Sequence, residues 1–417
     1  MKTTRIYIAL LLAAALIAGS AGCAATVRAA DLMDGISPNT DDGKPVDSAF
    51  AASMADYSIN LFKRSITDNE NSLISPLSVM LALAMTANGA SGDTLAQMEN
   101  LLGGGIPLGE LNRYLRGFAG ALPSTEKSTL NIANSIWFRD SKDRLRVEPG
   151  FLQKNADYYG ADAYSSAFDS KTVEDINNWV SSNTGGMIDK IIDKIEDNHI
   201  MFLINAVMFD AEWQSVYYKA NIRKGDFTDI SGAIINVDFM HSTEGTYLDD
   251  GMATGFTKPY AGGAYSFAAL LPNEDVPIEA YIESLTGAGF LGMLENASYE
   301  TVIASMPKFE YEYKVKMSDV LRGLGIPDAF DMDKADFSRL GVSSDGNIYI
   351  GEVLHKTFIS VDELGTKAGA ATMVDMVSGS SAPQSEPKTV RLDRPFLYAI
   401  IDNATNLPIF IGTLMTV

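Results

Sequence analysis

Few residues of this 417-residue chain could do catalytic chemistry. The histidines His199, His241 and His355 have no metal-ligand spacing, and the lone cysteine, Cys23, cannot build a zinc site. His355 lies among apolar residues of a strand-like stretch, which favours a hydrogen-bonded core histidine over a general base. The sequence contains no nucleophile elbow, phosphate loop or dinucleotide fingerprint. It therefore predicts a protein that is not an enzyme and that uses no metal or cofactor.

Ser124 and Lys127 provide the one short match to a catalytic motif, Ser-x-x-Lys. The motif follows Pro123 in a polar stretch, and the partner sequences Ser-Asp-Asn and Lys-Thr-Gly are missing downstream. An esterase or lactamase-like hydrolase that uses Ser124 is thus a minor alternative, and chance explains the match better.

Cys23 has a second kind of chemistry open to it, because it follows an export signal. Lys2 and Arg5 precede a short apolar run and then small residues, which predicts a signal peptide over residues 1–22. The preceding Ser-Ala-Gly resembles a bacterial lipobox, whose cysteine becomes lipidated, although leucine is usual where Ser20 stands. We expect an extracellular or cell-surface protein anchored by lipid on Cys23, with plain secretion as the alternative. Residues 23–48 are predicted to be an acidic, polar tether.

The composition indicates one large globular domain over residues 49–417. The chain is 46% hydrophobic and 20% charged, and apolar patterns continue from about Ala49 to the last residue without a linker-like break. The formal charge is −21; without residues 1–22, which hold Lys2 and Arg5 and no acid, it is 30 − 53 = −23. Such a charge argues against nucleic acid and anionic lipid as partners.

Helical spacing dominates the first half of this domain and strand patterns the second. Ser75 and Pro76 begin a helix that is apolar on nearly all sides and should be buried. The nearly continuous apolar run Asn198 to Trp213 predicts a central strand, and Thr301 to Met317 and Asn347 to Asp362 predict further strands. The fold class is therefore α+β with large antiparallel or mixed sheets.

One segment after these strands alternates as a half-buried strand does, yet it is built from small residues. The face expected to point inward carries Thr366, Ala368, Ala370, Thr372, Val374 and Met376. The charged Lys367 and Asp375 fall on the other face, and no proline occurs from Leu364 to Ala382. Such a segment can be an exposed loop or a strand of a sheet.

Several further stretches, in order along the chain, resemble sequence signatures of the serpins. They are Asn71 to Ser78 with Ala87 to Thr94, Asn205 to Trp213, Met306 to Phe309, Ala335 to Ser338, Asp393 to Tyr398, and Pro408 to Gly412. The matches cover essentially all of residues 49–417. The resemblance implies a bacterial, exported serpin with three β-sheets, about nine helices and an exposed reactive-centre loop at about residues 364–389.

The resemblance also implies a function and a set of site residues. In inhibitory serpins a protease cuts the loop, is held as an acyl-enzyme, and is trapped when the cut loop inserts into the main sheet as a new strand. The implied hinge comprises Glu363, Gly365, Thr366, Ala368, Ala370, Ala371 and Thr372. The implied polar cluster beneath the opening strands comprises Ser75, Ser78, Asn205 and His355, with Trp213 at the top of the opening.

The attacked bond is expected at Gly379–Ser380, within a window from Met376 to Ala382. No Arg or Lys lies in that window, which favours elastase- or subtilisin-like serine proteases over trypsin-like ones, and leaves a cysteine protease open. The alternative function is a non-inhibitory serpin-fold binding protein whose loop is only a substrate. We expect a monomer in either case.

Overall fold

The computed structural model describes residues 27–39, 43–140, 145–196, 199–344, 346–366 and 386–417. Within these ranges the chain forms nine α-helices. They are α1 (Ser48–Ser65), α2 (Pro76–Ala87), α3 (Gly92–Gly103), α4 (Leu108–Ala121), α5 (Pro149–Tyr159), α6 (Ser170–Asn183), α7 (Ile278–Ser284), α8 (Gly287–Glu295) and α9 (Met317–Gly323). Every residue of α2 is buried, as its apolar sequence predicts. None of the helices in the described part of the chain is long and apolar enough to cross a membrane.

Nineteen strands accompany these helices in the same ranges. They are β1 (Ala30–Asp31), β2 (Ser72–Ile74), β3 (Ser128–Arg139), β4 (Leu145–Val147), β5 (Asp162–Ser166), β6 (Met201–Glu212), β7 (Ile222–Thr228), β8 (Ile234–Glu244), β9 (Tyr247–Asp249), β10 (Ala253–Pro259), β11 (Tyr265–Pro272), β12 (Val302–Pro307), β13 (Phe309–Lys316), β14 (Gly341–Ser343), β15 (Glu352–Val361), β16 (Gly365–Thr366), β17 (Lys388–Arg391), β18 (Phe396–Asp402) and β19 (Pro408–Leu414).

The strands form three large sheets and one two-stranded ribbon. Sheet A has the order β1-β5-β3-β6-β16-β15-β13, sheet B the order β2-β19-β18-β11-β10-β9, and sheet C the order β17-β12-β8-β7. The stretch Thr301 to Met317, predicted as one strand, is two strands in different sheets, with β12 in sheet C and β13 in sheet A. The chain changes sheets at Pro307, a residue that has no backbone N–H to continue a ladder.

At the centre of sheet A the strands β6 and β15 are hydrogen-bonded to each other at one end only. β6 and β15 pair in parallel from Glu352↔Phe202 to His355↔Asn205. Further along, β16 lies between them, with Thr366 opposite both Ala211 of β6 and Val361 of β15. The two strands therefore diverge, and the short β16 occupies the start of the opening.

Helix α6 covers one face of this sheet. Its residues Ile176, Trp179 and Val180 form a hydrophobic cluster with side chains of β3, β6 and β15, including Phe202 and Leu354. Since this cluster is separate from the main hydrophobic core, α6 is packed on the sheet as its own layer.

The segment predicted as an acidic, polar tether contacts the domain at several described residues. β1 adds to the edge of sheet A by pairing with β5, and the Arg28 guanidinium forms ion pairs with Glu174 and Asp175 of α6. Four scattered apolar residues of this segment pack against the main core: Leu32, Met33, Ile36 and Val46. The average composition of the segment is polar and does not predict these contacts. Residues 1–22 and Cys23 lie outside the described residues, so the signal peptide and the lipid stay predictions.

Candidate functional site: the opening of sheet A

A buried polar cluster lies beneath the point where β6 and β15 part. The Ser75 N–H donates to His355 Nε2 over 3.1 Å, and His355 Nδ1 lies 3.3 Å from Asn205 Oδ1. The Ser78 hydroxyl donates to the same Asn205 oxygen at 2.5 Å. The Asn205 amide group in turn donates to Ser78 O at 3.0 Å and to Asn134 Oδ1 at 2.6 Å. The network thus joins α2 to β3, β6 and β15.

These contacts fix the state of His355. Because Nε2 accepts from a backbone N–H, the ring proton resides on Nδ1 and is donated to Asn205. Burial lowers the pKa of His355 from 6.5 to about 3, so the imidazole is neutral at physiological pH. A ring that is fully buried and bonded at both nitrogens is unsuited to act as a general base, in agreement with its interpretation as a core histidine.

The other end of the opening is held by the residues that follow β6. The Trp213 indole N–H donates to Asp362 O at 2.8 Å, and its backbone N–H donates to Leu364 O at 2.8 Å. The Tyr217 backbone N–H donates to Glu363 O at 2.9 Å. The carbonyls of three consecutive residues, Asp362 to Leu364 around the predicted hinge start at Glu363, are therefore bonded to two aromatic residues.

The described hinge residues make further contacts with sheets B and C. The Thr366 hydroxyl is hydrogen-bonded to the Tyr260 hydroxyl at 2.5 Å, and the Tyr260 ring stacks on Trp213 with centroids 4.5 Å apart. Lys308, which follows β12, forms an ion pair with Glu363 that lowers the pKa of this carboxyl below its usual range. Gly365 runs so close to β6 that a Cβ there would lie 2.0 Å from Ala211 O.

The predicted sites divide into those that the structure describes and those that it does not. It brings Ser75, Ser78, Asn205 and His355 into one network. Ser75 contributes its backbone N–H, while its buried hydroxyl has no hydrogen-bond partner among the described residues. Trp213, Glu363, Gly365 and Thr366 lie at the top of the opening. Outside the described residues lie Ala368, Ala370, Ala371, Thr372, the bond Gly379–Ser380 and its whole window.

The Ser-x-x-Lys match has no catalytic geometry. Ser124 and Lys127 are exposed, and the Lys127 ammonium pairs with Glu212 at 2.9 Å. Since the lysine neutralises a carboxylate, it is not placed to activate a serine hydroxyl.

Sequence reasoning missed Asn134, Tyr217, Tyr260 and the role of Lys308. Asn134 could have been found, because it lies in the alternating stretch Leu130 to Phe138, where a strand would bury its amide and require a partner. Tyr217 and Tyr260 contact the hinge only through the folding together of sheets A, B and C, and their positions along the chain carry no such signal.

Comparisons with known proteins agree with this architecture. The family model described as Serpin (serine protease inhibitor) matches residues 52–417. An uncharacterized serpin-like protein of Thermococcus kodakarensis is 32% identical over 380 residues, which are 89% of this chain and 86% of that protein. The crystal structure of tengpin, a thermophilic serpin, in its native state is 56% identical, with a TM-score of 0.90 over 94% of this chain and 100% of that one. For tengpin in the latent state the TM-score is 0.80, over 90% of this chain and 100% of that one.

This chain is a member of the serpin family, whose members are generally protease inhibitors rather than proteases. Its fold matches the native tengpin structure more closely than the latent one.

Proposed function

We propose that this serpin inhibits serine proteases as a suicide substrate. The observation that carries the proposal is the arrangement of sheet A, in which Gly365 and Thr366 are already paired between two diverging strands. The β6–β15 ladder ends at Asn205↔His355, so residues 206–210 and 356–360 flank the course that a longer inserted strand would take. The small, proline-free sequence after Thr366 suits that course.

The reaction needs no catalytic group from the serpin. The protease serine attacks the carbonyl of the residue before the scissile bond, expected to be Gly379, and forms an ester as the peptide bond breaks. The leaving amine is the new N-terminus at Ser380, and hydrolysis of the ester by water would release a merely cut serpin. Insertion of the loop must therefore be faster than this deacylation.

Insertion is favourable because it adds ladder bonds on both sides of the new strand. Each bond contributes about 0.5–1.5 kcal/mol net, so a dozen contribute on the order of ten kcal/mol. An inward charge would cost several kcal/mol, but the residues expected to face inward after Thr366 are small or apolar.

The target is proposed to be an elastase- or subtilisin-like protease, since the window from Met376 to Ala382 has only small or apolar candidates for a specificity pocket. The export signal and Cys23 suggest that it acts outside the cell or at its surface. Incubation with subtilisin, elastase and trypsin, followed by denaturing electrophoresis, tests both points. We expect a denaturant-resistant complex with one of the first two and release of a peptide that begins near Ser380.

A matched variant separates inhibition from cleavage. Thr366→Arg places a charge at a buried hinge position and should be cut at the same bond without forming the complex. Preferential trapping of trypsin would refute the proposed specificity. If the wild-type chain is cut cleanly by every protease, with no complex and no gain in thermal stability, the non-inhibitory alternative is correct.

A further inference from the structure

A buried ion pair lies next to the residues that hold the hinge. The Lys258 ammonium on β10 is 2.9 Å from Glu244 Oε1 at the end of β8, and the two side chains are 2% and 8% exposed. In every other ion pair of the described ranges, at least one partner is about a third exposed or more. The pair connects sheet B to sheet C.

The ammonium also contacts the two aromatic residues bonded to the hinge carbonyls. Lys258 Nζ lies 4.3 Å from the centroid of the Tyr217 ring and 5.5 Å from that of Trp213. The Ser242 hydroxyl donates to the same Glu244 oxygen at 2.6 Å and so orients the carboxylate. A desolvated cation attracts the face of an aromatic ring more strongly than an exposed one does, and this attraction favours one orientation of each ring.

Stability alone does not explain a pair in this position. The cost of removing two charges from water roughly cancels their attraction, and apolar replacements of buried pairs are often neutral or stabilising. A geometric role is the better explanation, because the charge is surrounded by groups that need a fixed orientation. Trp213 and Tyr217 are such groups, since their N–H groups must point at Leu364 and Glu363.

We propose that the Lys258–Glu244 pair is a positioning element for the hinge, fixing the rings of Trp213 and Tyr217 so that their backbone N–H groups hold the start of the inserting strand. The inference deepens the proposed inhibitory function and rests on it for its kinetic consequence. Its structural consequence, the protection of two amide hydrogens, is independent of any protease.

The test uses the full chain with both charges replaced by near-isosteric neutral groups, Lys258→Met with Glu244→Gln. Hydrogen exchange at the Trp213 and Tyr217 amides should become about tenfold faster. The stoichiometry of inhibition, measured with whichever protease the wild-type chain traps, should rise at least threefold because more molecules are cut before insertion begins. The control is Lys44→Met with Glu110→Gln, which removes a Lys–Glu pair of 2.6 Å between the segment before α1 and helix α4 and should leave both quantities unchanged.

A second pair of variants keeps the test decisive if the double variant does not fold. Tyr217→Leu removes the ring under the ammonium but keeps the ion pair and the backbone N–H, and should also raise exchange. Tyr217→Phe keeps the ring and should not. If the double variant Lys258→Met/Glu244→Gln folds and its exchange is unchanged, the inference is overturned. If the double variant does not fold, unchanged exchange in Tyr217→Leu overturns it instead. If the wild-type chain traps no protease, the inhibitory proposal fails, while faster exchange would still support the positioning role.

Discussion

The buried histidine of the polar cluster should make the stability of this serpin fall in mild acid. His355 is neutral in the folded chain, with a pKa of about 3, and has the usual 6.5 when unfolded. The folded state therefore binds fewer protons than the unfolded state between these values. The contribution of the neutral His355 to stability is fully present above pH 6.5 and is lost as the pH falls toward 3.

The magnitude follows from the two pKa values. At pH 5 the unfolded imidazole is protonated and the folded one is not, so the loss is about 1.4 kcal/mol for each of the 1.5 pH units below 6.5. This gives about 2 kcal/mol relative to pH 7.5. Since the folded value lies far below 5, the unfolded value sets the result.

Carboxylates also titrate in this range, so the measurement compares two proteins. His355→Gln can still accept from the Ser75 N–H through its side-chain oxygen but does not titrate. Urea unfolding of both proteins at pH 7.5 and pH 5.0 should show that the wild-type chain loses about 2 kcal/mol more than the variant. Equal losses would mean that His355 is protonated in the folded chain, and the assigned tautomer and network would be refuted.

Three further predictions concern the hinge and the motif near Ser124. Gly365→Ala should destabilise the start of β16 by about 1–3 kcal/mol, because the new Cβ meets Ala211 O, and thermal unfolding with the stoichiometry of inhibition would measure it. Lys308→Met removes the partner of Glu363, and because both groups are partly exposed the loss of stability should stay below about 1 kcal/mol. During incubation the variant should lose inhibitory activity faster than the wild-type protein, and 1 M salt should reduce the difference between the two rates. Ser124→Ala should leave both complex formation and ester turnover unchanged. Ester turnover by the wild-type protein that is lost in this variant would support the hydrolase alternative.

The sequence predicted the structure well where a local pattern of apolar and polar residues determines burial or strand formation. Thr366, which the alternation assigns to the inward face, is buried, and the apolar run that ends at Trp213 correctly predicts the central strand β6. Patterns failed where contacts are long-range. The N-terminal segment was predicted to be an acidic, polar tether, and nothing in its composition shows that β5 offers a sheet edge for β1.

Buried polar partners were the other gap. Asn205 and His355 were identified by resemblance, while the bond of Asn205 to Asn134 and that of Thr366 to Tyr260 became visible only when the strands were placed side by side. Lys258 shows the same limit more strongly. In β10 it follows Thr257 and precedes Pro259, where a lysine suggests a solvent-facing position, yet its side chain is buried against Glu244.

The polar character of the cluster suits it to the proposed insertion. Extending β16 requires the β6–β15 ladder to open, which separates His355 from Asn205. An apolar cluster there would lose its packing as the strands part and would have only the small inserted side chains as replacements. Hydroxyl, amide and imidazole groups can instead exchange one hydrogen-bond partner for another, including the backbone of an incoming strand. Because a hydrogen bond that is replaced costs little and one left unmade costs about 1–3 kcal/mol, such a cluster can hold the sheet closed and still permit it to open.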